Sequence, residues 1–195
     1  MPAPGADLTL SVWINQDWRC LFLDYAMPLA SNSLFMWGLG CFLALLAMRR
    51  QGKRIALGFV VLLLAAGLSD LSVKPIKNLA GRVRPEDSVA GVFYRAEGQW
   101  QRLPADFVQT REKGSSLPSA HAANSMAVAL AAMFLWPGLK PWALILPLII
   151  GYSRVYLGKH FPTDVLAGWA VGALAGMAVA WVLGQARKRW PGVVP

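Results

Sequence analysis

Apolar residues in this chain gather into long continuous runs instead of alternating or one-sided stripes. The runs cover about 29–48, 55–73, 120–136, 142–157 and 165–183. Each approaches the roughly 20 residues that carry an α-helix across a bilayer, and the pattern predicts five spanning helices. The first ends at Arg49-Arg50-Gln51-Gly52-Lys53-Arg54, a Pro137–Pro141 turn joins the third to the fourth, Pro147 is placed to kink the fourth, and the fifth ends at Arg187-Lys188-Arg189. Upstream, Ile14, Trp18, Leu21, Phe22, Tyr25 and Leu29 recur at helical spacing among Asn15, Gln16, Asp17, Arg19 and Asp24. That mixture is too polar to span and predicts an amphipathic helix in the interface, anchored by Trp13 and Trp18, with a sixth span as the alternative. Residues 1–11 read as a loose terminus without the basic start of a signal peptide. The expected fold is an all-α integral membrane helical bundle, one domain over 1–195, with a long polar loop at 74–119.

Composition agrees. The chain is 56% hydrophobic and only 15% charged, against about a quarter charged for a soluble domain. Its formal charge of +9 raises nucleic acid as a partner, but the distribution argues against it. Arg49, Arg50, Lys53, Arg54, Lys140 and Arg187–Arg189 all fall on one side of the five-span arrangement, with no acidic residue among them. By the positive-inside rule that side, with the C-terminus, is cytoplasmic, and the 74–119 loop faces outward. Cys20 and Cys41 lack metal-ligand spacing and read as small packing residues. Gly168, Gly172 and Gly176 form a small-residue stripe on the fifth run, suited to close helix packing within the bundle, and Asp164 lies one step earlier on it.

Three polar clusters fall together on the outward side: Lys77, Arg82, Arg84 and Pro85; Pro118-Ser119-Ala120-His121; and Ser153-Arg154 with His160 and Asp164. Lys77, Arg84 and Arg154 offer fixed positive charge for a phosphate and its transition state. The helix start at 116–121 offers free N–H groups to an anion, and Ser119 adds a hydroxyl. The chain has two histidines, which permits one to attack phosphorus while the other protonates the leaving oxygen. His160, one helical turn from Asp164, suits the nucleophile, and His121 suits the acid. No array of Asp, Glu, His and Cys suggests a metal pair, so no metal or other cofactor is expected. Arg82, Lys74 and Lys159 read as interfacial side chains, Asp70 as the partner of Lys74, and Asn124 and Ser125 as interhelical hydrogen-bonding groups.

These clusters resemble the signature of the type-2 phosphatidic acid phosphatase superfamily, K-x6-R-P, P-S-G-H and S-R-x5-H-x3-D. Lys77 to Pro85 fits the first part, Pro118-Ser119-Ala120-His121 the second, with Ala120 where the family has glycine, and Ser153 to Asp164 the third. The resemblance implies that Lys77, Arg84, Ser119, the Ala120 amide and Arg154 bind phosphate. It further implies that His160 forms a phosphohistidine oriented by Asp164, and that His121 is the general acid and later helps activate water. The implied function is a lipid phosphatase of the bacterial inner membrane with its site facing the periplasm. Its substrate is a lipid phosphate held among membrane lipids, undecaprenyl diphosphate first, and aromatics of the 86–117 loop are placed to cover the headgroup. Alternatives are a lipid A 1-phosphatase, a phosphatidylglycerophosphate phosphatase, a lipid-to-lipid phosphotransferase and a non-catalytic lipid transporter.

Overall fold

Helix length separates the elements into two groups. The computed structural model describes residues 5–52 and 54–190. In it α4 (Arg54–Ala80, 27 residues) and α7 (Pro162–Arg189, 28 residues) rise about 40 Å each. That exceeds the roughly 30 Å hydrocarbon core, so both can cross it alone. Between them α5 (Ala120–Leu135) and α6 (Ile145–Tyr156) are apolar but shorter. Ahead of them come α1 (Gly5–Val12), a π-helical turn at Trp13–Asp17, α2 (Leu21–Ser31) and α3 (Ser33–Gln51). A hairpin of β1 (Phe93–Ala96) and β2 (Gln99–Arg102) sits in the polar segment, in antiparallel register Phe93↔Arg102, closed by Glu97-Gly98 at positive φ.

The amphipathic helix expected over 12–29 is present, divided. Trp13 and Trp18 are exposed, and α2 exposes Leu21, Phe22, Tyr25 and Leu29. It meets α3 at a 72° bend, where the Asn32 side chain caps α3 by accepting from the Phe35 N–H at 3.1 Å. The single helix expected over 12–29 breaks at 18–20, where the chain turns and Cys20 is extended. Two other expectations change. The polar segment does not begin at Lys74: α4 continues through Pro75 to Ala80, so Lys74 and Lys77 ride on its last turns. Hydropathy marks where the lipid ends, not where the helix does. Cys20 and Cys41 are exposed; both lie on peripheral segments that the bundle does not enclose.

The terminus expected to be loose is largely ordered: residues 1–4 lie outside the described residues, but 5–12 form α1 against α7. Asp7, Ser11 and Asn15, one turn apart in succession, are all buried. Asn15 pins the hairpin to the end of α6: its Nδ2 donates to Phe93 O at 2.7 Å and Tyr156 O at 2.8 Å, and its Oδ1 accepts from the Phe93 N–H at 2.8 Å.

α5 is the central helix, enclosed by α4, α6 and α7. Its buried face is alanine, including Ala122, Ala123, Ala127 and Ala131, which lets the glycine stripe of α7 approach it at backbone contact. A Cβ built at Gly172 would lie 2.0 Å from Ala123 O, whereas one at Gly184 meets nothing nearer than Phe134 Cζ at 3.8 Å. Gly172→Ala is therefore expected to destabilise the bundle by about 1–3 kcal/mol through overpacking. Gly184→Ala is expected to be neutral, and thermal midpoints of the two purified variants in detergent check the contrast.

Candidate active site

The ends of α4 and α6 and the starts of α5 and α7 meet at one end of the bundle, and the polar clusters arrive there with them. Lys77 is in the last turn of α4 and is half-buried, its ammonium donating to Ser115 O at 2.9 Å. Gly81, at φ +58, ends that helix and turns the chain into the extended stretch that carries Arg82 and Arg84. A cis Leu117–Pro118 bond precedes α5. Ser119 caps that helix, its hydroxyl 3.4 Å from the Ala122 N–H, so Ala120 and His121 occupy the first turn, where helix N–H groups are free. Arg154 closes α6, and His160 lies in the link to α7. Asp164 is in the first turn of α7 and completes its cap, Oδ2 accepting from the Phe161 N–H at 2.9 Å. A backbone bond from the Ser119 N–H to Asp164 O at 2.9 Å joins the starts of α5 and α7.

All eight residues expected at the site lie at this end, and the charges of Arg154, Lys77 and Arg84 all act on His121. Arg154 is buried and donates to the Ser31 hydroxyl on α2, while its Nε has no partner among the described residues. Arg84 is only loosely held, 3.6 Å from Glu86, whose other oxygen pairs with Lys159 at 2.5 Å. The basic groups thus keep donor capacity to spare, as an anion site requires.

His160 and Asp164 are both buried, with Nδ1 3.7 Å from Oδ2. That is beyond hydrogen-bond length, and Nδ1 has no other partner among the described residues. Closing the gap by a few tenths of an ångström would make the bond. Asp164 is meanwhile held from other directions: Oδ1 accepts from Arg82 Nη1 at 2.8 Å, and Oδ2 from Ser116 Oγ at 2.5 Å. Burial pushes the His160 pKa down to about 3; Arg154 and Lys77 push the same way, against the opposing pull of Asp164. The imidazole is therefore neutral at physiological pH, with a lone pair for attack.

Sequence reading missed Arg82, Ser116, Ser31 and Asp7. Arg82 is no interfacial side chain: it is buried at 4% exposure, paired to Asp164 and to Asp7. The legible signal was the polar stripe Asp7–Ser11–Asn15, which has no reason to be in register unless one face is buried. One expectation holds: Lys74 pairs with Asp70 at 3.3 Å. The interhelical bonds expected of Asn124 and Ser125 are not found: Ser125 donates to Ala122 O at 3.0 Å within its own helix, and Asn124 Oδ1 has no partner among the described residues. Of the loop aromatics, Phe93 and Trp100 pack on the Arg19 guanidinium, at 4.4 and 4.0 Å.

The buried neutral imidazole has a consequence for stability. An unfolded histidine titrates near 6.5, so between pH 6.5 and about 3 the unfolded chain binds a proton at this position that the folded chain does not. Protons then favour unfolding, and the His160 contribution to stability falls as pH drops through that window, by up to about 1.4 kcal/mol per unit. His160→Gln is expected to flatten the decline of the thermal midpoint between pH 6.5 and 4.5; an unchanged slope would contradict the assignment.

Comparison with known proteins accords with this arrangement. A family model described as the PAP2 superfamily matches residues 55–188. The lipid A 4'-phosphatase of Bacteroides thetaiotaomicron is 27% identical over 162 residues, covering 80% of this chain and 67% of the relative. The undecaprenyl-diphosphatase of Sulfolobus acidocaldarius is 36% identical over 74 residues, 36% of this chain and 34% of that protein, so the chain spans from about a third to two thirds of these relatives. The crystal structure of a transmembrane PAP2 type phosphatidylglycerolphosphate phosphatase from Bacillus subtilis superposes with a TM-score of 0.60 at 26% identity, covering 96% of this chain and 90% of that one. The chain is an integral membrane protein and belongs to the PAP2 superfamily.

Proposed function

We propose that the protein is a metal-independent membrane lipid phosphatase that removes the terminal phosphate of a lipid mono- or diphosphate through a phosphohistidine. The reading rests chiefly on a neutral, buried His160 beside Asp164, at the same helix ends as three basic side chains with spare donors. The family supports it as well.

In the proposed sequence, Lys77, Arg84 and Arg154 hold the phosphate oxygens with Ser119 and the Ala120 amide, and supply the charge stabilisation that a metal pair gives elsewhere. The His160 Nε2 lone pair attacks phosphorus and an N–P bond forms. The P–O bond to the lipid breaks, and His121, which takes up a proton as the anionic substrate offsets the charges of Lys77, Arg84 and Arg154, gives it to the departing oxygen. Asp164 stabilises the imidazole as it becomes cationic. His121, now neutral, takes a proton from water, whose oxygen attacks phosphorus; the N–P bond breaks and inorganic phosphate leaves with both histidines restored.

Charge placement supports an outward-facing site. Arg49 stands on α3 shortly before α4 begins, Lys140 follows α5 and Arg187–Arg189 form the last turn of α7, all toward the helix ends opposite the site; under the positive-inside rule this favours a site on the periplasmic face and a cytoplasmic C-terminus. For the lipid we favour undecaprenyl diphosphate: the Sulfolobus relative is named for it, and the cations suit a highly charged diphosphate.

Phosphate release by purified protein in detergent and EDTA tests this, with undecaprenyl diphosphate, lipid A and phosphatidylglycerophosphate offered in parallel. Release is expected to survive EDTA and to fall at least about a thousandfold in His160→Ala, with undecaprenyl diphosphate turned over fastest. A preference for lipid A would move the substrate assignment and keep the chemistry. Activity that persists in His160→Ala would overturn the phosphohistidine.

A further inference from the structure

Asp7 lies on α1, outside every motif that marks the site, yet it is buried beneath it. Its Oδ1 accepts from the Thr163 N–H at 2.9 Å, and its Oδ2 from Thr163 Oγ1 at 2.6 Å and Arg82 Nη2 at 2.5 Å. The same guanidinium donates through Nη1 to Asp164 Oδ1 at 2.8 Å and to Thr163 Oγ1 at 2.7 Å. Its face rests on the Phe161 ring, 4.2 Å from the centroid. Arg82 is therefore clamped between two carboxylates, with all three side chains 4% exposed or less.

The charge count gives this clamp a consequence. Arg82 with Asp164 alone would be a neutral buried pair, and a carboxylate so compensated is a weak acceptor for an imidazole N–H. Two carboxylates sharing one guanidinium leave one negative charge over, and Asp164 Oδ2 is the carboxylate oxygen that faces His160. Low polarity around the cluster makes that residual charge count for more than it would in water.

We infer that Asp7 is a positioning residue for the reaction: by sharing Arg82 it fixes the Asp164 carboxylate and leaves it anionic toward His160. The inference rests on the reading of His160 as nucleophile. Asp7 touches neither substrate nor imidazole; it acts through Arg82 and Asp164. As the N–P bond forms and the ring becomes cationic, the charge that Asp7 maintains is the one that stabilises it, so its effect belongs to the chemical step and not to phosphate binding.

The test is Asp7→Asn, which keeps size and hydrogen-bonding capacity and removes the charge. Its kcat is expected to fall on the order of ten- to a hundredfold, by analogy with the loss of the outer hydrogen-bond partner of a metal-bound histidine. Its KM should stay within about threefold, and Asp7→Glu should recover part of the loss. A purely structural role predicts less folded protein with unchanged kcat per folded molecule, and that result would overturn the inference. Arg82→Lys, which keeps the charge but cannot bridge both carboxylates, should show the same kcat-selective loss and serves if Asp7→Asn does not fold. A readout independent of turnover comes from 15N-histidine labelling, because the chain has only two histidines. Asp7→Asn should move the ring-nitrogen signals of His160, identified by their disappearance in His160→Ala, and leave those of His121 in place. Unmoved His160 signals would sink the proposal even if no lipid tried is hydrolysed; absent hydrolysis in the wild type with moved signals would count against the proposed function alone.

Discussion

A single buried carboxylate organises this protein. Asp164 receives Arg82 from the stretch after α4, Ser116 from the stretch before α5 and the Phe161 N–H of its own cap, and it faces His160 from the link after α6. An anion removed from water is costly unless donors surround it, so the fold must bring these segments together. Their convergence is what makes the end of the bundle a site. Arg82 carries the same requirement one step further out, to Asp7 at the start of the described chain.

The second constraint is the distance between α5 and α7. The glycines of α7 lie against the backbone of α5, and that contact sets where Ser119 and His121 stand relative to Asp164. The bond from the Ser119 N–H to Asp164 O is possible only at this separation. Packing in the apolar half of the bundle and geometry in its polar end are thus one problem. A larger residue at Gly168 or Gly172 would displace the first turn of α5 together with the groups expected to hold phosphate.

The segment outside the bundle serves as its outer brace. Asn15 joins hairpin to α6, and Arg19 lies among Phe93, Trp100 and Tyr156 while pairing with Asp24. Gly158, at φ +67, makes the tight turn just before His160; a Cβ there would meet Val92 Cγ1 at 2.7 Å. Hairpin, N-terminal segment and His160 link therefore hold one another in place.

The sequence by itself determined the bundle, the helix-packing stripe and the polar residues that gather at one end of it. Long apolar runs have few alternatives in a bilayer, and basic side chains with two histidines have few uses at the ends of such runs. It could not place the end of α4, because hydropathy reports lipid and not hydrogen bonding. Nor did it assign Arg82, Ser116 and Asp7. An arginine near a membrane surface looks the same in sequence whether it reaches for water or lies between two carboxylates, since the difference is made by partners 75 and 82 positions away along the chain. The polar stripe of Asp7, Ser11 and Asn15 said that one face of that helix was needed, and only the tertiary structure decided what it was needed for.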